Sequence, residues 1–320
     1  MNIIRRLFLS IGLLGLALAG NITPLHAQST WSADWEPAVT APAHTPGTGP
    51  VVVVDEAHFN FNTINDRYRS FARVLEQDGY VVRPGKSTFS AANLRQTRIL
   101  VIATALSERN RDQVNWSPPI SSAFSTGEIQ AVQAWVHRGG SLLLIADHLP
   151  FAGAAQKLAA AFGFEVINGY ALDRRDIRRA TLDRPFVFTR NDAATRDGTL
   201  VDHVITRGRY PSERVDRVTT FMGSAFRAKV PVSPLLVFGD FVSSYQTETF
   251  GKLSATTPSV PAAGLMQAAA LHYGKGRVVF FAEAGLFAAQ TQGRLPVGIN
   301  ATGNLQLLLN TMHWLEGILK

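Results

Sequence analysis

The chain has 320 residues, 46% of them hydrophobic and 17% charged, with 31 basic against 24 acidic side chains and no cysteine. So large an apolar fraction with so few charges excludes a disordered or solvating chain, and the length suffices for one large domain or two small ones. The missing thiol excludes disulfides, thiolate metal sites, lipoprotein acylation and a cysteine nucleophile.

Residues 1–27 carry the features of an export signal. Arg5 and Arg6 form a basic start, Leu7 to Gly20 an apolar run, and Ala27 a small residue at a cleavage point. The run is too short for a permanent membrane anchor. Arg5-Arg6-Leu7-Phe8-Leu9 also resembles the twin-arginine motif, so both an ordinary secretory route and a twin-arginine route stay open. The expected destination is the periplasm or the medium. Without this segment the net charge falls from +7 to +5, since it holds two arginines and no acid. The remaining basic residues are scattered or grouped without aromatic interleaving (Arg174, Arg175, Arg178, Arg179; Arg207, Arg209, Arg214), and no nucleic-acid partner is expected.

Residues 28–49, rich in Pro, Thr, Ala and Ser, read as an irregular leader. From residue 50 to 320 the expectation is a single α/β domain, with insertions at about 170–265 where periodicity weakens. Short β-branched or apolar runs predict strands at Val51–Val54, Tyr80–Val82, Ile99–Ile102, Leu142–Ile145, Leu235–Phe238 and Val278–Phe281. Tyr68, Phe71, Ala72 and Leu75 share one helical face. Ser125 and Glu128 fit a capping box that opens a second helix, which Gly139-Gly140 stops. Ala154–Phe162 and the segment from Leu305 to Leu319 predict two more. Alternating strands and helices predict a mostly parallel, doubly wound, flavodoxin-like sheet with helices on both faces.

In such sheets ligands bind beyond the carboxyl ends of the strands. There the sequence places Asp55, Glu56 and His58, with Asn60 and Asn62 following, then Asp147-His148, then Glu283. Asp147, His148 and Glu283 are the candidate catalytic residues, and Asp55, Glu56, His58 and Asn60 the candidate ligand-binding residues. Carboxylates with imidazoles suit either a divalent metal that activates water or a metal-free acid–base pair. No fixed-spacing motif chooses between them, and neither a metal nor another cofactor is assigned. The same residues also suit helix and loop capping or satisfied histidines. Ser224 lacks a nucleophile-elbow pattern. Gly274-Lys275-Gly276 reads as a tight turn, Asn300 as a residue bordering the crevice or supporting the last helix, and His313 as a packed structural histidine.

The segments Val51-Val52-Val53-Val54-Asp55-Glu56-Ala57-His58, Gly139-Gly140-Ser141-Leu142-Leu143-Leu144-Ile145-Ala146-Asp147-His148 and Gly274-Lys275-Gly276-Arg277-Val278-Val279 resemble the class I glutamine amidotransferase-like superfamily. The resemblance is to its non-amidotransferase branches, grouped with gliding-motility, intraflagellar-transport and uncharacterised exported bacterial proteins. It spans about residues 50–290. It implies a flavodoxin-like fold and, since the family nucleophile is a cysteine on the elbow where Asp147-His148 falls here, an active site that is changed or lost. Some relatives are linked to carbohydrate systems, which implies a sugar-like ligand. The resulting expectation is an exported domain that binds a small polar ligand or a protein partner, in an oligomeric state the sequence leaves open. The alternative is a hydrolase with a metal or a carboxylate–histidine site at the strand ends.

Overall fold

The computed structural model describes residues 29–32, 35–178, 184–190 and 197–320. The expected export segment, residues 1–27, lies outside them. A twelve-stranded mixed sheet organises the chain, and its path runs Arg217–Thr220, Phe186–Thr189, Gly198–Leu200, Ser233–Phe238, Met266–Tyr273, Gly276–Phe281, Ser141–Ile145, Ile99–Ala103, Val51–Asp55, Val81–Gly85. The remaining two strands, Ala225–Ala228 and Phe164–Ile167, branch from Met266–Tyr273. Two three-stranded sheets flank it: Ser29–Trp31 with Gln290–Gln292 and Leu295–Pro296, and Ser259–Pro261 with Val242–Tyr245 and Tyr170–Asp173.

The expectation of a mostly parallel, doubly wound flavodoxin-like sheet is corrected by this topology. Only the run from Gly276–Phe281 to Val81–Gly85 is continuously parallel. Beyond it, Met266–Tyr273 pairs antiparallel on both sides, and Phe186–Thr189 with Gly198–Leu200 is the one further parallel pair among the described residues. The cause is the connections. A parallel return needs a long crossover, whereas an antiparallel one needs only a turn. Residues 164–281 hold just two short α-helices among those described, Arg174–Arg178 and Val204–Arg207, and one 3-10 turn, Pro211–Glu213. Met266–Tyr273 turns directly into Gly276–Phe281 through Gly274, whose φ of 58° suits glycine. Its sequence, Met-Gln-Ala-Ala-Ala-Leu-His-Tyr, has too little β-branched character to announce a strand.

The six predicted strands form within a few residues of their expected bounds, as do helices Arg69–Gln77, Thr126–His137, Phe151–Ala161 and Asn304–Glu316. Ser125 and Glu128 make the capping box: the serine oxygen accepts from the Glu128 amide at 3.3 Å, and Glu128 Oε2 accepts from the Ser125 amide at 3.0 Å. A cap of this kind contributes about 1 kcal/mol.

Side-chain alternation along the parallel strands sorts the core into two layers. Val52, Val54, Val101, Leu143, Ile145, Val279 and Phe281 pack with helices 69–77 and 304–316. Leu100, Ile102, Leu142, Leu144, Val278 and Phe280 pack with helices 126–137 and 151–161. This parity decides where each strand-end polar residue goes.

Candidate functional site

Strands Ser141–Ile145 and Gly276–Phe281 are parallel neighbours with Ile145 opposite Phe281. Each is followed by one alanine and then an acid, Asp147 and Glu283. The ladder continues past the strand ends, since the Ala146 amide donates to the Phe281 carbonyl at 2.8 Å. Asp147 and Glu283 are therefore matched in register. By parity with Ile145 and Phe281 they lie on the face packed by helices 69–77 and 304–316.

Glu283 is buried, whereas Asp147 keeps 17% of its side chain exposed. Glu283 Oε1 accepts from the Gly285 amide and Oε2 from the Leu286 amide, each at 2.8 Å. Burial pushes the Glu283 carboxyl up to about 8, with the Asp147 charge adding to the rise and the backbone donors only partly opposing it. Burial also raises Asp147, against hydrogen bonds from the His148 and Ala284 amides and the charge of His148. Both carboxyls are thus shifted toward their protonated forms, Glu283 with Asp147 contributing to its rise. Gly223, at φ 80°, backs onto Glu283: a Cβ there would lie 2.7 Å from the Glu283 Cβ.

Tyr68, the residue before helix 69–77, closes the pair from above. It is fully buried, and its hydroxyl donates to the Ala284 carbonyl at 2.9 Å. Burial and the charges of Glu283 and Asp147 hold its phenol well above the usual range, while the Asn62 side chain hydrogen-bonds it. His148 Nδ1 donates to the Leu149 carbonyl at 2.6 Å, which leaves Nε2 as the free ring nitrogen, 3.9 Å from Asp147 Oδ1. The ring stacks on Tyr170 at 4.5 Å, with Phe151 and Phe250 each at 6.1 Å. Trp116 extends this aromatic group, edge-on to Phe151 and Phe250.

The other four predicted residues gather elsewhere. Asp55 has the opposite parity from Val54 and is separated from Ser141–Ile145 by the Ile99–Ala103 strand. His58 Nδ1 lies 2.9 Å from both Asp55 oxygens and its Nε2 lies 2.7 Å from Glu128 Oε1, with Phe89 and Phe124 against the ring. Burial opposes the imidazolium, but the hydrogen bonds and charges of Asp55 and Glu128 outweigh it and raise the His58 pKa. Asn60 donates to Asp55 Oδ2 at 3.0 Å and to the Ala103 carbonyl at 2.9 Å. Glu56 Oε1 accepts from the Ile64 amide at 3.0 Å. These four fasten loop 56–68 to the sheet edge. Phe59 and Thr104, both at φ 46°, mark the same edge as backbone-strained.

The structure thus brings Asp147, His148 and Glu283 together, and holds Asp55, His58 and Asn60 in a separate network, with Glu56 turned to the Ile64 amide. Among the described residues, no group of three or more His, Asp or Glu side chains is placed to hold a metal ion. Tyr68 and Tyr170 were missed as site residues: the first reads only as helix-face aromatic, and nothing local marks the second. Glu128 was legible as a cap, not as the partner of His58. His313 is buried against Asp78 at 2.7 Å.

No curated protein matches the sequence. Among solved structures, the N-terminal domain of mmIFT52 superposes with a TM-score of 0.56 at 13% identity, covering 83% of this chain and 97% of its own. A putative ThuA-like protein from Bacteroides uniformis gives 0.45 at 12% identity, over 87% of this chain and 94% of its own. A second, from Parabacteroides merdae, gives 0.43 at 11% identity, over 84% and 91%. At these identities the mmIFT52 likeness speaks to fold alone. Residues 60–310 match the model of a domain of unknown function, DUF4350, and the chain belongs to that family.

Proposed function

We propose that this chain is an exported binding protein that holds a small polar, carbohydrate-like ligand at the edge formed by Asp147, His148 and Glu283. Its domain is amidotransferase-like by sequence resemblance and degenerate, because the 320 residues include no cysteine to serve as the family nucleophile. One observation carries the reading. A register-matched carboxyl pair, in which burial pushes Glu283 toward its protonated form, offers a hydrogen-bond donor and acceptors side by side, next to the aromatic group around His148. Polyhydroxyl ligands need that combination: hydroxyls to pair with the carboxyls and an apolar ring face to lie on aromatics.

The test is thermal denaturation with a panel of neutral mono- and disaccharides at millimolar concentration. Binding raises the midpoint with the logarithm of the ligand excess, about 2.7 kcal/mol of stabilisation at a hundredfold excess over Kd. Asp147→Ala removes the shift. A panel without any shift in the native protein sinks the reading.

The raised Glu283 beside Asp147 and the free Nε2 of His148 also favour a second reading, a metal-free hydrolase in which Glu283 acts as the acid. Turnover of chromogenic glycosides, lost in Glu283→Gln, would establish it; inert substrates would leave the binding reading alone.

Export is supported by the Arg5-Arg6 start, the apolar run and Ala27. Expressed in a bacterium, the chain is expected in the periplasmic fraction with Gln28 as its first residue. An intact N-terminus in the cytoplasm contradicts this.

A further inference from the structure

His58 has a carboxyl group on each side of its buried ring. Nδ1 lies 2.9 Å from both Asp55 oxygens and Nε2 lies 2.7 Å from Glu128 Oε1. A neutral imidazole has one N–H and one lone pair, so it serves only one of two such acceptors. The carboxyl oxygens already accept from other donors. Asp55 Oδ1 takes the Ala57 amide at 3.2 Å and Oδ2 the Asn60 side chain at 3.0 Å. Glu128 Oε1 takes the Phe89 amide at 3.2 Å, and its Oε2 takes the Ser125 amide and hydroxyl at 3.0 and 2.8 Å. A proton on each nitrogen of His58 completes this set. The bond to Asp55 is local, whereas the bond to Glu128 joins positions 70 apart and ties loop 56–68 to the start of helix 126–137. The loop so held is strained: Phe59 takes a left-handed φ of 46° although its ring stays 45% exposed. Two residues on, Phe61 packs at 5.4 Å on Trp116 and 5.5 Å on Phe151, in the aromatic group beside His148.

We infer that His58 is a proton-dependent latch: as the imidazolium it ties loop 56–68 to helix 126–137, and loss of its Nε2 proton releases that tie and loosens the aromatic wall that Phe61 and Trp116 form. The proton leaves Nε2 for bulk base, and no other covalent bond changes. The neutral ring keeps Nδ1–H for Asp55, its local partner, and turns a lone pair on Glu128 Oε1 in a buried setting, which is repulsive. Among the described residues, the charged groups facing the ring are Asp55 from its own strand end and Glu128 from the helix, while the adjoining segments present the uncharged Phe89 and Phe124 at 4.7 and 4.9 Å. The loop itself stays with the sheet, since the Phe61 amide donates to the Thr104 carbonyl at 3.1 Å and the Leu106 amide to the His58 carbonyl at 2.8 Å. The gap therefore opens toward Phe124 and the helix. The latched form binds the extra proton, so it belongs to low pH and the released form to high pH. The latch needs no ligand and stands or falls apart from the carbohydrate reading.

Amide hydrogen exchange of the purified protein, corrected for the intrinsic rise with pH, tests this. Protection at Phe89 and Ser125, whose amides donate to Glu128, is expected to fall about tenfold between pH 6 and pH 9, while strand Ile99–Ala103 holds its own. Nitrogen NMR of the imidazoles is expected to show N–H on both His58 ring nitrogens at pH 6 and on one at pH 9. Glu128→Gln separates the latch from other titrations. Its amide still caps the helix through the oxygen and can donate to a neutral Nε2, so the tie is expected to persist at both pH values without a step. A single protonated ring nitrogen at pH 6 overturns the inference, as does protection that stays level to pH 9. A step of equal size in Glu128→Gln also overturns it, by assigning the opening to the ionisation of Glu283.

Discussion

Glu283→Gln removes most of a loss in stability that the native chain undergoes between about pH 4.5 and pH 8. The window follows from the carboxyl's ordinary value of 4.5 and its folded value of about 8. Between them the unfolded chain has released the proton and the folded chain still holds it, so the folded state binds more protons and stability falls as pH rises. The fall is on the order of 4 kcal/mol, and Glu283 is buried enough that solvent screening removes little of it. The amide in Glu283→Gln cannot ionise, keeps one oxygen for the backbone amides of residues 285 and 286, and is therefore expected to let the variant fold. Urea midpoints at pH 5, 6.5 and 8, at fixed ionic strength, read the slope. The slope that survives belongs to Asp147 and to His58, which act in the same direction. His58, raised by Asp55 and Glu128, contributes stability that is present at low pH and lost as pH rises through its folded value. Equal slopes in the native protein and the variant would show that the carboxyl pair is ionised throughout.

Asp78→Ala lowers stability by about 3 kcal/mol, because it orphans a fully buried imidazole donor and a half-buried amide at once. Asp78 is fully buried at the end of helix 69–77; its Oδ2 lies 2.7 Å from Nε2 of the fully buried His313, and its Oδ1 accepts from the Ala43 amide at 2.7 Å. One carboxylate thus ties together two helices and the stretch ahead of the first strand of the parallel run. That stretch is also held by His44 Nε2 at 3.0 Å from Glu316 Oε2. Asp78→Asn retains an acceptor and is expected to lose about 1 kcal/mol. Faster hydrogen exchange at Ala43 and His44 in Asp78→Ala would locate the damage. A variant within about 0.5 kcal/mol of the native protein would show that the tie contributes nothing net.

Much of the parallel region was legible because its signals are local. A run such as Leu142–Ile145 must be a strand buried on both faces, and Ser125 with Glu128 must open a helix, whatever lies around them. The antiparallel remainder was not legible. Met266–Tyr273 is alanine-rich, and its strand state is set by pairing with Ser233–Phe238 and Gly276–Phe281 rather than by propensity. The doubly wound expectation failed at that point, since it extended the helix crossovers of residues 51–164 to a region connected by turns.

The candidate site divides in the same way. Sequence alone determined the chemical inventory: Asp55, His58, Asp147, His148 and Glu283 after strands, and no thiol anywhere. Strand order and parity, which only the tertiary structure decides, then sorted that inventory. Asp147 and Glu283 share a face because their strands are register-matched neighbours and each acid stands two residues beyond the matched pair. Asp55 turns to the other face, where His58, held in turn by Glu128, and Asn60 satisfy it. A linear pattern states which side chains reach an edge; which face they take, and which acid goes unpaired there, depends on contacts between residues more than a hundred positions apart.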